Sequence, residues 1–476
     1  MGKKPSLAQL FELIALAALK PLGLGFTYYV DATGGSDANR GYSPGTAWQT
    51  IAKVNAATFR PGDQILFKRG ETWLLDAQIT CSQNSLYFGA YGSGAKPIFD
   101  GQDTVDCFHA SGKSDIVLKD LEMTQGLDAG AQFLTCSNVR VINCDMHDAG
   151  NDNLIFFTGC TYCTVTGGKY HDGYQRTPTT VVTGIEIGDD CTDMMVDGAE
   201  CYGQLTTSGH GIGVHSHAGA GMPNRITIKN CLLHDNAGHG LQVLKQDDTD
   251  DTGDIITLEN NLCYSNALDG IRVYKSAGAA QYPNGVVALG NYCYGNAEYA
   301  YYYSGDNLIV KRNKFSGRGF LTACINLSFY NNTMYFTTGA GLYPMYINNA
   351  RSDGINIKNN IVHATVSGGM MIGVDVLVTS VDIDIDYNLY YLAAEAATAT
   401  RWHWKGTNYS YANWLTNSGQ DANSPTVDEN PLLVDPANGD YNLSVGSPAI
   451  DAGVAIDGVT DGFEGVAPDC GYAEKA

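Results

Sequence analysis

The chain has 476 residues, and 44% of them are hydrophobic, enough for a large core. Its formal charge of −22 argues against nucleic acid and anionic membranes as partners, because both are recognised by basic patches. The same acidity disfavours a polyanionic substrate unless local cations or a bound metal offset it. Glycine is abundant, at 56 residues, as a chain full of corners and turns requires.

In chain order, residues 1–25 come first and read as a short amphipathic helix. Ser6 is the N-cap, Gln9 completes a capping box and Pro21 stops the helix. Leu7, Leu10, Ile14 and Ala17 form an apolar seam. Glu12 and Lys20 interrupt the apolar stretch and no A-x-A site follows, so it does not read as a signal peptide. It is too short to span a bilayer. An isolated helix of this length is marginal in water, so it is expected to dock on its own copies or on a larger particle. Residues 26–113 are expected to form an N-terminal cap and the first rungs of a solenoid.

Residues 114–392 carry an internal repeat. Three copies are ITIKNCLLHDNAGHGLQVLK from Ile226, ITLENNLCYSNALDGIRVYK from Ile256 and VVALGNYCYGNAEYAYYYSG from Val286. A period of this size signals a solenoid whose units are stable only when stacked. The copies align on a turn position: Cys144, Gly168, Ala199, Cys231, Asn261, Asn291, Asn313, Asn332, Asn360 and Asn388. Asn suits a corner because it tolerates left-handed backbone. Two residues later the column is almost wholly apolar (Met146, Tyr170, Cys201, Leu233, Cys263, Cys293, Phe315, Met334, Val362, Tyr390), so it points inward. The next column holds stackable rings, among them His147, His171, Tyr202, His234, Tyr264 and Tyr294. Alternation over three to five residues, as in Ile226–Ile228 and Leu241–Val243, is a strand signal. The pattern predicts an all-β parallel β-helix of about ten rungs, with the irregular segment 393–476 as a C-terminal cap. Within that segment, the aromatic run Arg401–Leu415 is expected to cover exposed strand edges.

Here the chain resembles the right-handed parallel β-helix proteins with pectate-lyase-type repeats. Tyr28–Trp73 looks like the entry segment of that family, and Asp428–Gly453 like its closing segment. The family includes lyases, epimerases, hydrolases and pure binders, so the resemblance implies a fold and leaves the activity open.

The thirteen cysteines are odd in number, and several fall in the inward column, which does not read as a disulfide framework. Cys201, Cys263 and Cys293 read as small core hydrophobes. Cys160 and Cys163 form a C-x-x-C with no second pair at zinc spacing. Reduced thiols suggest assembly in a reducing compartment followed by release through lysis.

Chemistry on such a fold must come from outward residues aligned on adjacent rungs. The second strand set gives the best stripe: Glu186, Gly213, Gln242, Arg272 and Tyr302, then Gly188, His215, Leu244, Tyr274 and Ser304. The turn before it stacks Asp152, Thr183, His210, His239, Asp269 and Tyr299; the turn after brings Asp189, Ser216, Lys245 and Lys275. His239, Asp269, Arg272, Lys245 and Lys275 are expected to share one sugar-sized patch. Tyr301 and Tyr303 are expected to point inward. For β-elimination, Lys245 serves as base, Arg272 as carboxylate neutraliser, and His239 or Tyr302 as acid. This is similar to the Lys/Arg arrangement of alginate and chondroitin lyases on this fold. For hydrolysis, Asp269 needs a second carboxylate, but Glu186 lies three rungs away, roughly 14 Å. Asp189 and Asp190 meet the same objection. His210, His215, Gln242, Tyr274, Lys275, Tyr302 and Glu186 are the substrate-binding candidates.

The stretch Asp248–Glu259 matches a calcium-loop pattern. Its register favours an acidic solvated loop, with Ca2+ held by Asp248, Asp250 and Asp254 as the alternative; no other cofactor is implied. The leading expectation is a virion-associated, extracellular tailspike or receptor-binding protein. The N-terminal helix makes it a homotrimer or attaches it, and it binds, or binds and depolymerises, a cell-surface polysaccharide. A secreted bacterial polysaccharide lyase or epimerase is the alternative, and a non-catalytic structural spike the third reading.

Overall fold

The computed structural model describes residues 25–475, apart from 175, 177–180, 206–208, 218, 247–254, 338–342, 397 and 426–428. The expected helix of residues 1–25 therefore lies outside the described residues, except for Gly25.

The chain winds as a parallel β-helix with three long sheets of 14, 14 and 13 strands, strands pairing with those one coil before and after except at the end of the second sheet, where Trp402–Trp404 and Thr407–Tyr409 pair antiparallel. The first sheet runs from Thr27–Val30 to Ile383–Asp386. The second begins at Ile79–Thr80, and the third runs from Thr72–Leu74 to Leu389–Leu392. The sequence repeat sets the register: Ile226 meets Ile256 and Val286, and Leu233 meets Cys263 and Cys293. Three further strands, Thr72–Leu74, Ile98–Asp100 and Glu122–Thr124, precede the ten aligned copies in the third sheet.

Burial follows the alternation. The expected inward column, from Met146 to Tyr390, is closed to solvent, and so are Tyr301 and Tyr303. All thirteen cysteines are free and buried, so they act as small apolar fillers of the tube.

The Asn column differs from the corner role expected for it. The left-handed residue is the one before it, as at Asn260 (φ 54°), Arg312 (φ 54°) and Asn331 (φ 51°). The column itself is a buried amide ladder. Asn291 Nδ2 donates to Asn313 Oδ1 at 3.0 Å, Asn313 to Asn332 at 2.9 Å, and Asn332 to Asn360 at 3.1 Å. Asn is present because its amide both donates and accepts, so each rung satisfies the next.

The ladder ends at Asn388, beside buried Asp421, which also accepts from Trp414 Nε1 (2.9 Å), the Tyr390 hydroxyl (3.0 Å) and Ser424 Oγ (2.6 Å). Trp414 belongs to helix Tyr411–Ser418, so the aromatic run does cover the solenoid's end. One of its segments, Trp402–Trp404, also adds a parallel strand to the second sheet. The closing segment instead lies along the side of the last coils. Its antiparallel strands Leu433–Asp435 and Asp440–Leu443 carry Leu433, Tyr441 and Leu443, which pack with outward-facing Tyr335, Ile361 and Leu389. Those outward positions are apolar, so that stretch of the third sheet needs a cover.

Candidate active site

The outward face of the second sheet has the predicted alignment. Glu186 pairs with Gly213, Gly213 with Gln242, Gln242 with Arg272, and Arg272 with Tyr302. His215 meets Gly188 and Leu244, and Leu244 meets Tyr274. The side chains, however, divide into two groups.

The first group surrounds a cavity of about 360 Å³ lined by Asn151, Asp152, Phe157, Val181, Glu186, His215, His217 and Gln246. Glu186 and His215 are almost fully buried, with Oε1 and Nδ1 2.9 Å apart. Gly213 makes this approach possible: a Cβ there would lie 2.5 Å from Glu186 Oε2 and 2.6 Å from His215 Cε1. His215 Nε2 is buried without a protein partner. Asp152 Oδ1 accepts from Thr183 N (2.6 Å) and Thr183 Oγ1 (2.8 Å). Burial, then the charge of Glu186, pushes the Asp152 carboxyl up to about 8, against those two bonds. Asp152 is therefore held toward its protonated form beside a second carboxyl group. His217 donates its backbone N–H to Asp189 Oδ1 at 2.8 Å, with Nδ1 3.1 Å from the same oxygen. The bond to Asp189 raises the His217 pKa against the effect of burial.

The second group is the patch expected around Arg272. Arg272 Nη1 donates to Asp269 Oδ2 at 3.1 Å, and the guanidinium lies between the rings of Tyr274 (4.5 Å) and Tyr302 (4.4 Å). Gln242 Nε2 donates to the Tyr274 hydroxyl at 3.3 Å. His210 and His239 stack at 4.9 Å. Their Nδ1 atoms accept from the backbone N–H of the next rung, His239 at 3.0 Å and Asp269 at 3.1 Å; Asp269 Oδ1 accepts from Tyr299 N in the same way. Burial lowers both histidine pKa values. The 3.3 Å approach of Asp269 Oδ2 to His239 Nδ1 is thus not an ion pair, because that nitrogen already receives a proton from the backbone. Burial raises the hydroxyl pKa values of Tyr274 and Tyr302, which stay protonated.

The two lysines end their strands, one pleat beyond the ring column. Lys245 pairs with Ser216 and Lys275 in register and is 1% exposed. Lys275 Nζ donates to Ala279 O at 2.5 Å and lies 4.9 Å over the Tyr282 ring. Asp248, Asp250 and Asp254, the calcium candidates, lie outside the described residues. Among the described residues no group of His, Cys, Asp and Glu is arranged to hold a metal ion, and no helix is long and apolar enough to cross a membrane.

Rung spacing in the sequence sets Glu186 against Asp269, three rungs away. The usable partner, Asp152, stands in the same turn column one rung from Glu186, on the other side. Phe157 follows Phe156, which pairs with Ile187, and so continues the Gly188–His215 column one rung earlier; His217 lies just past its strand, and only the fold brings it to the cavity.

A family model described as "Right handed beta helix region" matches residues 99–250 and 210–375. The chain belongs to this right-handed β-helix family. Its structure is similar to that of pectate lyase Pel9A, with 18% identity and a TM-score of 0.52 over 95% of this chain and 98% of that one. It is also similar to a rhamnogalacturonan lyase (15%, TM-score 0.44, 76% and 87%). A third is the A-module of the Azotobacter vinelandii mannuronan C-5 epimerase AlgE4 (14%, TM-score 0.41, 74% and 83%). Likeness at this identity carries the fold alone. None of the curated protein sequences matches the chain significantly.

Proposed function

We propose that the protein is a polysaccharide-degrading enzyme that lays its substrate along the outward face of the second sheet and hydrolyses it in the Asp152–Glu186 cavity. The observation that carries this is a buried carboxyl held protonated near neutral pH, beside a second carboxyl group in an open cavity. A carboxyl group raised toward neutral pH beside a second carboxyl group is what glycosidic cleavage can use. Asp152 gives its proton to the glycosidic oxygen as the C–O bond breaks. Glu186 takes the proton of the water that replaces the leaving group. Arg272, Gln242, Tyr274 and Tyr302 hold the chain on neighbouring rungs.

Elimination from a uronate needs a cation to hold the carboxylate as charge develops on the adjacent carbon. None of the described residues lining the cavity is Lys or Arg, and both lining histidines face carboxylates. Hydrolysis is therefore favoured over a lyase or epimerase reaction using Lys245 and Arg272.

The pH profile tests the assignment. Because the acid must be protonated, kcat/KM falls as pH rises through about 8. A rate that climbs through that range would rule out Asp152 as the acid. The tailspike, virion and homotrimer readings rest on the helix pattern of the first 25 residues, the reduced cysteines and the fold. A solution mass of three chains would support them, and a monomer would favour a secreted enzyme.

A further inference from the structure

Beyond Tyr302 the outward column of the second sheet turns aromatic. Tyr302 pairs with Phe320, and Leu321 with Ile347, which brings Phe320 alongside Tyr346. Tyr299 lies 5.5 Å from Phe320, Tyr302 5.2 Å from it and Tyr346 5.8 Å from it; Tyr343 lies 4.6 Å from Tyr346. All five rings are partly exposed. They meet at 28° to 72°, unlike the near-parallel rings of the third sheet, at 4° to 8°. Tyr299, Arg318, Gly319, Phe320, Tyr343 and Tyr346 line a cavity of about 190 Å³.

The shelf is held in place. Tyr346 donates its hydroxyl to Asp375 Oδ2. Gly373, the next residue in the column, leaves room for the rings: a Cβ there would lie 2.6 Å from both Tyr343 Cε1 and Tyr346 Cδ2. Exposed aromatic area on a fixed backbone loses little freedom on binding, and it suits the C–H faces of uncharged sugar rings.

We infer that Tyr299, Phe320, Tyr343 and Tyr346 form a second saccharide subsite. It holds a non-reacting stretch of the neutral polysaccharide whose scissile bond lies in the Asp152–Glu186 cavity. Its role in cleavage rests on the proposed reaction; its binding does not. Five rung steps separate Glu186 from Phe320, roughly 24 Å along the axis, so only a chain of several sugars reaches both. The subsite therefore sets a preference for long chains.

Affinity electrophoresis of the full chain tests this in gels containing arabinoxylan, galactomannan, mixed-linkage glucan or, as the anionic probe, polygalacturonate. At least one neutral polysaccharide retards the wild type. Phe320→Ala and Tyr343→Ala weaken that binding about tenfold, while Tyr343→Phe, which keeps the ring, binds normally. Thermal melts confirm that each variant is folded. Turnover of short oligosaccharides is unchanged in all three. Retardation equal in wild type and alanine variants, retardation by polygalacturonate alone, or none by any polysaccharide overturns the subsite. Shelf-dependent binding without any release of reducing ends would sink the proposed reaction and leave the subsite standing. Release of ends with unaltered binding in Phe320→Ala and Tyr343→Ala would do the reverse.

Discussion

The second and third sheets are made by the same coils, yet their outward faces differ in kind. On the third sheet, His147, His171, Tyr202, His234, Tyr264 and Tyr294 stack at 4.6–5.2 Å, and each histidine lies between two carboxylates, as His171 does between Asp145 and Asp172. Like residues on successive rungs satisfy one another and leave little for a ligand. On the second sheet, equivalent positions hold Glu186, Gly213, Gln242, Arg272 and Tyr302, which do not repeat. Unlike neighbours leave a cavity, an unpartnered His215 Nε2 and a carboxyl pushed toward neutrality. On a solenoid, a break in the repeat that keeps polar groups buried marks a site better than a repeated polar column does.

The contrast is sharpest at the cavity. Asp152→Asn or Glu186→Gln should lower turnover by about 10²–10⁴-fold with the melting temperature nearly unchanged. An active Glu186→Gln enzyme would erase the functional distinction between the faces.

At the solenoid's end, burial raises the Asp421 carboxyl to about 7 from 3.8. Between those values the folded state binds the extra proton, so this group's stabilisation is full below about pH 4 and is lost as pH rises to about 7. The loss is on the order of 4 kcal/mol. Subtracting the urea stability profile of Asp421→Asn from that of the wild type isolates it. Parallel profiles would show that Asp421 does not titrate in this way.

Inside the tube, Asn313→Ala removes the acceptor for Asn291 N and Nδ2 and the donor to Asn332. Buried groups left unpaired cost about 3 kcal/mol in chemical denaturation. A neutral effect would mean that the ladder is replaceable by packing.

The smallest effect belongs to the exposed ring ladder. His171→Ala or Tyr264→Ala should cost about 1 kcal/mol or less and leave binding and turnover unchanged. Lost activity would show that the third sheet also carries function.

The fold was legible because stacking makes every coil repeat the same instruction. The inward column, the ring ladder and the inward Tyr301 and Tyr303 all follow from alternation and period. The Asn column was located correctly and its cause missed, since a left-handed corner and a buried amide ladder lie one residue apart. The site was legible by face and only partly by residue. Alignment brought Glu186, His215, Gln242 and Arg272 to one surface. It did not show that Arg272 is held between two tyrosines, that Lys245 is buried, or that His239 accepts a backbone proton. Those depend on side-chain direction and loop packing, which leave no periodic mark. His217 and Tyr343 lie just outside the strands, where the repeat leaves no mark, whereas Phe157 and Phe320 continue the two outward columns one rung beyond the residues read from the sequence.

The most direct test of the central claim is digestion of a panel of neutral and anionic polysaccharides by wild type and Glu186→Gln. Reducing-end release is followed together with the ultraviolet absorbance of an unsaturated product. New ends without absorbance, abolished in Glu186→Gln, are the predicted result. New ends with absorbance would mean elimination, contradict the account and return the chemistry to Lys245 and Arg272.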